Sequence, residues 1–440
     1  MHKHIEKMMD LPIDFVQYTR QLMGEELYTR LLEGLSEEAP VSIRVNPFKC
    51  SKDVSIPLKD SEVPWCQYGF YLKHRPNFTF DPLFHAGLYY VQEASSMFHE
   101  HVIRQIINHI GNKDLRILDL CAAPGGKSIA IRSVLPDNCL LYSNEPNRTR
   151  AQILMENMLK WGHPDVVVTN NYAIDYQKTK LSFDIIVADV PCSGEGMFRK
   201  DKNAIQEWSK QNVEKCWKLQ REIISDIWSC LKPGGFLIYS TCTFNEYENE
   251  QNVNWIAQEL GADFVTIETK EEWNITGSLI DHHPVYRFIP GKTRGEGLFV
   301  AVLKKHATED EQRLAHPRMS ALKIMTYEPP TSNGKKKDIP NHAQALSIRF
   351  DKDEYPNVAI DYPQAISYLR KEAIVLPAEA PRGIVLLTYQ QIPIGFAKNI
   401  GNRANNLYPM EWRIKSTYIP EHETILELAQ PHIDGRHQED

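Results

Sequence analysis

The sequence predicts an α/β fold: a doubly wound, mostly parallel sheet flanked by a small N-terminal α+β module and a β-rich C-terminal domain. Three observations carry that prediction. Short apolar runs alternate with helical patterns through the middle of the chain, as in strand–helix–strand units of a parallel sheet. A glycine-rich turn follows the first of these runs, and open α/β sheets bind ligands at the carboxyl ends of their strands. A polar stretch, Glu328-Pro329-Pro330-Thr331-Ser332-Asn333-Gly334-Lys335-Lys336-Lys337, has linker composition and sets the remainder apart.

Taken in order, Leu11, Phe15, Leu22, Leu27 and Leu31 recur at helical spacing, and Gly34 reads as the stop. Val41–Val45 alternates apolar and polar residues, which suits a half-buried strand. In the middle region, residues 116–120 form a first strand, followed by a helix from about Lys127. Residues 140–143 and 166–169 are the next two strands, with a helix between them over 147–161 that Gly162 ends. The fourth strand, 183–188, is apolar throughout and therefore central. A long helix over 205–231 and a turn at Pro233-Gly234-Gly235 lead to a fifth strand at 236–239. A helix over 246–260 and strands at 264–267 and 298–303 follow. No helical pattern joins the last two, so one of them is expected to run antiparallel. Beyond the linker, 383–387 and 392–396 read as strands of a separate small domain.

Composition narrows the function classes. Of 440 residues, 42% are hydrophobic and 24% charged, enough apolar material for packed cores and too much for a disordered chain. Lys plus Arg total 50 against 57 for Asp plus Glu, a net charge of -7. The chain is not a basic nucleic-acid coat, so a nucleic-acid partner would be held by local patches. No apolar run approaches the roughly 18 residues of a membrane span, and the first ten residues hold no signal-peptide core. A cytoplasmic protein is expected. The eight cysteines form no Cys-x-x-Cys pair, which argues against a disulfide framework or structural zinc. No metal is expected: His99, His101, His282 and His283 lack complementary ligands and read as surface histidines.

Chemistry concentrates at four places. Asp119-Leu120-Cys121-Ala122-Ala123-Pro124-Gly125-Gly126-Lys127-Ser128 joins a strand to a helix. Gly126-Lys127-Ser128 invites a P-loop reading, but Cys121 stands where that motif needs glycine. The glycines alone are equally well explained by a tight turn. Glu145 follows the second strand, where an acid hydrogen-bonds a ribose diol; together with the turn it favours an adenosine-containing cofactor. Asp189-Val190-Pro191-Cys192-Ser193-Gly194 ends the fourth strand and Ser240-Thr241-Cys242-Thr243 ends the fifth. Either cysteine alone reads as a buried apolar residue. Two in matched positions at one sheet edge, beside the carboxylate of Asp189, read as nucleophile chemistry.

These motifs, in this order and spacing, resemble the Sun-type RNA cytosine-C5 methyltransferases. Ser42-Ile43-Arg44-Val45-Asn46-Pro47, Tyr90-Val91-Gln92-Glu93-Ala94-Ser95-Ser96 and Gly295-Glu296-Gly297-Leu298-Phe299 extend the likeness. Residues 393–413 resemble the PUA-like tail of the ribosomal RNA small subunit methyltransferase F branch. The resemblance implies a Rossmann-like methyltransferase with S-adenosyl-L-methionine as cofactor and RNA as partner. Cys121, Ala122, Ala123, Pro124, Gly125, Gly126, Lys127, Glu145 and Asp189 would hold the cofactor. Asp189 would also face the base, with Lys127 orienting it. Cys242 would be the nucleophile that adds to cytosine C6, and Cys192 would assist release of the methylated product. In the third-strand loop, Thr169-Asn170-Asn171-Tyr172, many relatives carry an adenine-contacting Asp, a role that falls here to Asn171 or Tyr172.

The implied divisions are an N-terminal RNA-binding module over 1–80, a methyltransferase domain over 81–305, a linker over 306–340 and a PUA-like RNA-binding domain over 341–440. A monomer acting on small-subunit ribosomal RNA is expected. A transfer-RNA enzyme and a non-catalytic ribosome-assembly factor are the alternatives. Lys335–337 reads as a solvated charge run that is also able to touch RNA, and Tyr408 and Trp412 as core residues or stacking platforms.

Overall fold

A computed structural model describes residues 9–111, 113–307, 318–326, 339–416 and 418–428. The lysine triplet at 335–337 lies outside these residues. Helix α1 (Ile13–Ser36) runs two residues past the expected stop at Gly34 and kinks at Gly24. Strands β1 (Val41–Val45), β2 (Lys59–Glu62), β3 (Gly69–Leu72) and β4 (Tyr89–Val91) form an antiparallel sheet in the order β2-β3-β1-β4. A boundary at residue 80 would cut this sheet, because β4 pairs with β1 along Ile43↔Val91 and Val45↔Tyr89.

The central sheet contains β5 (Arg116–Asp119), β6 (Leu140–Asn144), β7 (Val166–Thr169), β8 (Phe183–Asp189), β9 (Leu231–Thr241), β10 (Ala262–Phe264), β11 (Val285–Phe288) and β12 (Leu298–Lys305). Its order is β10-β12-β9-β8-β5-β6-β7, with β11 also on β12. Strands β5 to β9 are parallel, and β12 is antiparallel to both β9 and β10. The apolar β8 is the middle strand of that order. Its alternation feeds two cores. Ile185 and Val187 join Ile117, Ile238 and Val300 beneath helix α2 (Phe98–Ile110). Ile186 and Ala188 join Leu118, Tyr239 and Phe299 on the opposite face. Successive strand side chains point to opposite faces, so a strand buried on both sides must be apolar throughout.

Helix α3 (Gly126–Arg132) follows β5, and α4 (Arg148–Trp161) follows β6. Asn147 caps α4 by accepting from Arg150 N at 3.1 Å. The helix expected over 205–231 is two helices, α5 (Lys202–Glu207) and α6 (Lys210–Trp228). Ser209 separates them and caps α6 through Asn212 N at 3.1 Å. Such capping stops one helix and starts the next, which apolar periodicity does not register. Pro233 to Gly235 lie within β9 rather than in a preceding turn. Helix α7 (Glu250–Leu260) begins four residues later than expected.

The C-terminal sheet orders β13 (Asn357–Ala359), β14 (Gly383–Tyr389), β15 (Ile392–Asn399) and β16 (Ala404–Asn406), with helix α8 (Tyr362–Leu369) beside it. It does not make its principal core alone. Val385, Leu387, Tyr368, Tyr408 and Trp412 pack in one cluster with Ile43, Val45, Phe70, Leu72 and Tyr89 of the N-terminal module. Tyr408 hydroxyl meets His85 Nδ1 at 3.2 Å, and Tyr362 hydroxyl donates to the Phe80 carbonyl at 3.1 Å. Tyr408 and Trp412 are therefore core residues rather than stacking platforms. The stretch expected as a plain linker also packs: Met325 N donates to Val168 O at 2.8 Å on the outer edge of β7. No helix of the described residues is long and apolar enough to cross a membrane.

Candidate active site

The carboxyl ends of β5, β6, β7, β8 and β9 meet at one edge, and the residues there are tied by polar side chains. Asn144 joins three strand ends. Its Nδ2 donates to Leu120 O at 3.0 Å and Asn171 O at 2.9 Å, while its Oδ1 accepts from Thr169 Oγ1 and Asn171 N. The glycine-rich turn lies above this staple, with Ala122 N bonded to Asn144 O at 2.8 Å. The Ala123-Pro124 peptide is cis. A Cβ on Gly126 would come within 3.3 Å of the Tyr90 ring, so the turn runs close under that aromatic face.

Beneath the turn, Asp119 is fully buried. Its Oδ2 accepts from Ser128 Oγ at 2.7 Å, and its Oδ1 has no partner among the described residues. Burial pushes this carboxyl up to about 7. Cys121 points into the same environment, and burial pushes its thiol well up. Glu145 is 2% exposed; Oε1 accepts from Asn147 N at 2.9 Å and Oε2 faces Arg150 at 3.3 Å. An unpartnered buried acceptor, a close-approach turn and a carboxylate at the second strand end fit a ligand bearing an ammonium group and a ribose diol.

Asn171 sits at the third strand end, but its amide is engaged. Lys323 N donates to Asn171 Oδ1 at 3.0 Å, and Asn171 Nδ2 donates back to Lys323 O at 3.2 Å. One amide hydrogen remains for a ligand, a weaker adenine contact than the sequence suggested. Tyr172 is 68% exposed.

Asp189 and Lys127 form an ion pair, Oδ2 to Nζ 2.8 Å. Burial works against ionisation of Asp189, but the Lys127 ammonium outweighs it and holds the carboxyl below its usual range. Asp189 Oδ1 accepts from Ser240 Oγ at 2.7 Å. The two cysteines meet: Cys192 Sγ and Cys242 Sγ are 3.2 Å apart, and Cys242 N donates to Cys192 Sγ at 3.4 Å. The hydrogen bond to Cys242, with burial, pushes the Cys192 thiol far above its ordinary value.

Residues beyond the sequence motifs hold the cysteine loops. Glu195 is fully buried and accepts from Phe244 N at 2.7 Å, Asn245 N at 3.0 Å and Trp208 Nε1 at 2.9 Å. Glu248 accepts from Ser193 N at 2.9 Å and Gln220 Nε2 at 2.7 Å. Gly196 N donates to Cys242 O at 2.7 Å, and a Cβ at Gly196 would lie 2.5 Å from that oxygen. Only glycine permits so close an approach. Nothing in one sequence separates Glu195 and Glu248 from surface glutamates; their nearness to the Cys192 and Cys242 motifs is the only available signal. His99 departs from expectation: it is fully buried, not at the surface, with Nε2 3.1 Å from Ser240 Oγ. His282 and His283 are exposed.

Comparison with known proteins agrees with this architecture. Residues 107–304 match the family described as 16S rRNA methyltransferase RsmB/F. Residues 11–94 match the N-terminal domain of 16S rRNA methyltransferase RsmF, a span that includes β4, and residues 355–414 match the methyltransferase RsmF PUA domain. Ribosomal RNA small subunit methyltransferase F of Serratia proteamaculans is 31% identical over 363 residues, covering 78% of this chain and 72% of that protein. The protein of the same name from Erwinia tasmaniensis is 26% identical over 472 residues, covering 91% of this chain and 96% of its own. Among solved structures, NSun6 from Pyrococcus horikoshii with SFG has a TM-score of 0.56 at 20% identity, covering 68% of this chain and 99% of that one. At that identity the likeness is one of fold.

Proposed function

The chain belongs to the 16S rRNA methyltransferase RsmB/F family, and from that membership we propose that it methylates C5 of a cytosine in small-subunit ribosomal RNA. S-adenosyl-L-methionine, when bound, supplies an electrophilic methyl group to C5. The residues that would hold it are Cys121 to Lys127, Glu145 and the unpartnered Asp119 Oδ1, with Asn171 near the adenine end.

The observation that carries the proposal is the meeting of two cysteine sulfurs, 3.2 Å apart, beside the Asp189–Lys127 pair. The hydrogen bond to Cys242 and burial both oppose ionisation of Cys192. At this separation a Cys192 S–H can donate to Cys242 Sγ, the arrangement in which Cys242 acts as the nucleophile. Lys127 adds a favourable electrostatic interaction with Cys242. The Cys242 thiolate adds to cytosine C6 and turns the ring into an enamine nucleophilic at C5. Loss of the C5 proton and expulsion of the sulfur restore the ring. The Cys192 proton neutralises the departing Cys242 sulfur, which supports the release role. Asp189, oriented by Lys127 and Ser240, faces the N3/N4 edge of the base. The base must leave its stack to be reached, so the target is a loop or flipped nucleotide.

The test is methyl transfer from labelled S-adenosyl-L-methionine to small subunits and free RNA from cells lacking this protein, with mass mapping of the product. Label at C5 of small-subunit cytosines is the expected result. Cys242→Ala should lower transfer by at least about 10³-fold while RNA binding survives. Cys192→Ala should accumulate a protein–RNA adduct stable on a denaturing gel. Label only in transfer RNA would overturn the substrate, and full transfer by Cys242→Ala would overturn the mechanism.

A further inference from the structure

His99 belongs to none of the sequence motifs, yet it is linked to the reacting centre by a chain of contacts all within hydrogen-bond distance. It is fully buried on α2. Its Nδ1 lies 3.1 Å from the Ser96 carbonyl and its Nε2 3.1 Å from Ser240 Oγ. Ser240 Oγ donates to Asp189 Oδ1 at 2.7 Å, and Asp189 Oδ2 holds Lys127 at 2.8 Å. The proton count along this path is informative. A carbonyl only accepts, so Nδ1 carries a hydrogen. Ser240 has one hydroxyl hydrogen and gives it to Asp189. His99 Nε2 can then bond Ser240 only by carrying a hydrogen of its own. All contacts are bonded only when Asp189, Ser240 and His99 together hold one proton more than a carboxylate and a neutral imidazole.

We propose that His99 is a positioning residue for Asp189 and the terminus of a proton relay running from Asp189 through Ser240 to His99. This rests on the reading that Asp189 faces the cytosine. Methylation at C5 releases one proton per turnover. Asp189 faces the N3/N4 edge, so the proton it receives is the one that edge carries in the adduct and gives back as the ring is restored, the C5 proton leaving to water. The proton received by Asp189 passes to Ser240 Oγ as the hydroxyl hydrogen passes to His99 Nε2. Only O–H and N–H bonds are exchanged: Asp189 returns to carboxylate, Ser240 is unchanged and His99 becomes imidazolium, bonded at both nitrogens. The reverse transfer delivers the proton to water once product has left. The charged groups bearing on His99 are Lys127 from α3 and Asp189 from β8. On its own helix, Glu100 is engaged instead by Arg44 and Arg104. Burial lowers the imidazole to about 4, so His99 rests neutral at neutral pH and the path rests one proton short.

His99→Gln keeps a hydrogen-bonding side chain and removes the basic nitrogen. In single-turnover assays at neutral pH it should slow methyl transfer by about 10-fold or more, with S-adenosyl-L-methionine affinity held within about twofold. The variant's rate should rise with pH and with buffer-base concentration, as solvent replaces the lost acceptor; the wild-type rate should be insensitive to buffer. A wild-type rate and buffer response in His99→Gln overturns the proposal, as does a parallel loss of affinity and rate. Should His99→Gln not fold, Ser240→Ala breaks the same path and carries the same expectations. If the wild-type protein transfers no methyl group, the functional reading has failed, and ¹⁵N-histidine spectra judge the relay. His99, assigned by substitution, should be the Nδ1–H tautomer, with its Nε2 resonance shifted in Ser240→Ala. An Nε2–H tautomer in the wild-type protein overturns the relay whatever the activity.

Discussion

The carboxyl edge of the central sheet and the core shared by the two terminal modules solve different problems. At the sheet edge, loops are fixed by buried polar side chains from nearby strand ends: Asn144, Glu195, Asn245 and Glu248, each with several partners. In the terminal core, segments separated by some three hundred residues of chain are joined mainly by apolar and aromatic packing, Ile43, Phe70 and Tyr89 against Leu387, Tyr408 and Trp412. Hydrogen bonds are directional, whereas apolar burial is not. The first arrangement therefore fixes two sulfur atoms 3.2 Å apart. The second contributes cohesion between modules and tolerates changes of shape that keep volume.

The largest effect expected from breaking this contrast is at Glu195. Glu195→Ala leaves Phe244 N, Asn245 N and Trp208 Nε1 without their acceptor in a fully buried place. Stranding a buried donor costs about 1–3 kcal/mol, so a loss of roughly 4 kcal/mol is expected in denaturant unfolding. Methyl transfer should fall with it, because Phe244 N and Asn245 N lie just after Cys242. Activity that survives the stability loss would mean that the polar network holds the fold without setting the cysteines.

Tyr408→Ala is the matching cut in the terminal core and should be slightly smaller. The ring is 1% exposed and touches His85, His342 and Tyr368. Aromatic truncation in a core costs roughly 3 kcal/mol or more, including the cavity left behind. Limited proteolysis should show the N-terminal and C-terminal modules loosening together, with the central sheet intact. Loosening of the C-terminal module alone would break the single-core description.

The two regions also differ in how far the sequence revealed them. The parallel strands of the central sheet were legible because each carries its own signal: β8 is apolar throughout, and β5 runs into a glycine-rich turn. The antiparallel β11 was missed, and β10 lies earlier than the expected 264–267. The cysteine motifs were legible because strand ends in a parallel sheet share one edge. The shared terminal core was not. Ile43 and Leu387 each look like ordinary strand residues, and periodicity reports which face is apolar without saying what covers it. The division at residue 80 failed for the same reason, since β4 is three residues long and is defined by its pairing with β1. His99 was misread because one histidine on a helix gives no sign of burial. Its fit depends on Ser240, 141 residues away.

The smallest expected effect lies where the two regions meet. Residues 318–326 lie between the central sheet and the C-terminal module, and they contact the edge of β7 through Asn170 N to Lys323 O at 2.9 Å and Met325 N to Val168 O at 2.8 Å. Asn171 adds a reciprocal pair of side-chain bonds to the Lys323 backbone. Asn171→Ala removes that pair while leaving the backbone bonds, so the cost should be about 1 kcal/mol. Hydrogen exchange should quicken at Lys323, whose amide loses its acceptor, and stay slow at Met325, whose acceptor is Val168. Because one Asn171 amide hydrogen is left for a ligand, the same substitution should weaken S-adenosyl-L-methionine binding only about threefold, as measured by calorimetry. A loss of a hundredfold or more would return Asn171 to the adenine contact expected from its place at the third strand end, with the Lys323 bonds exchanged for the ligand on binding.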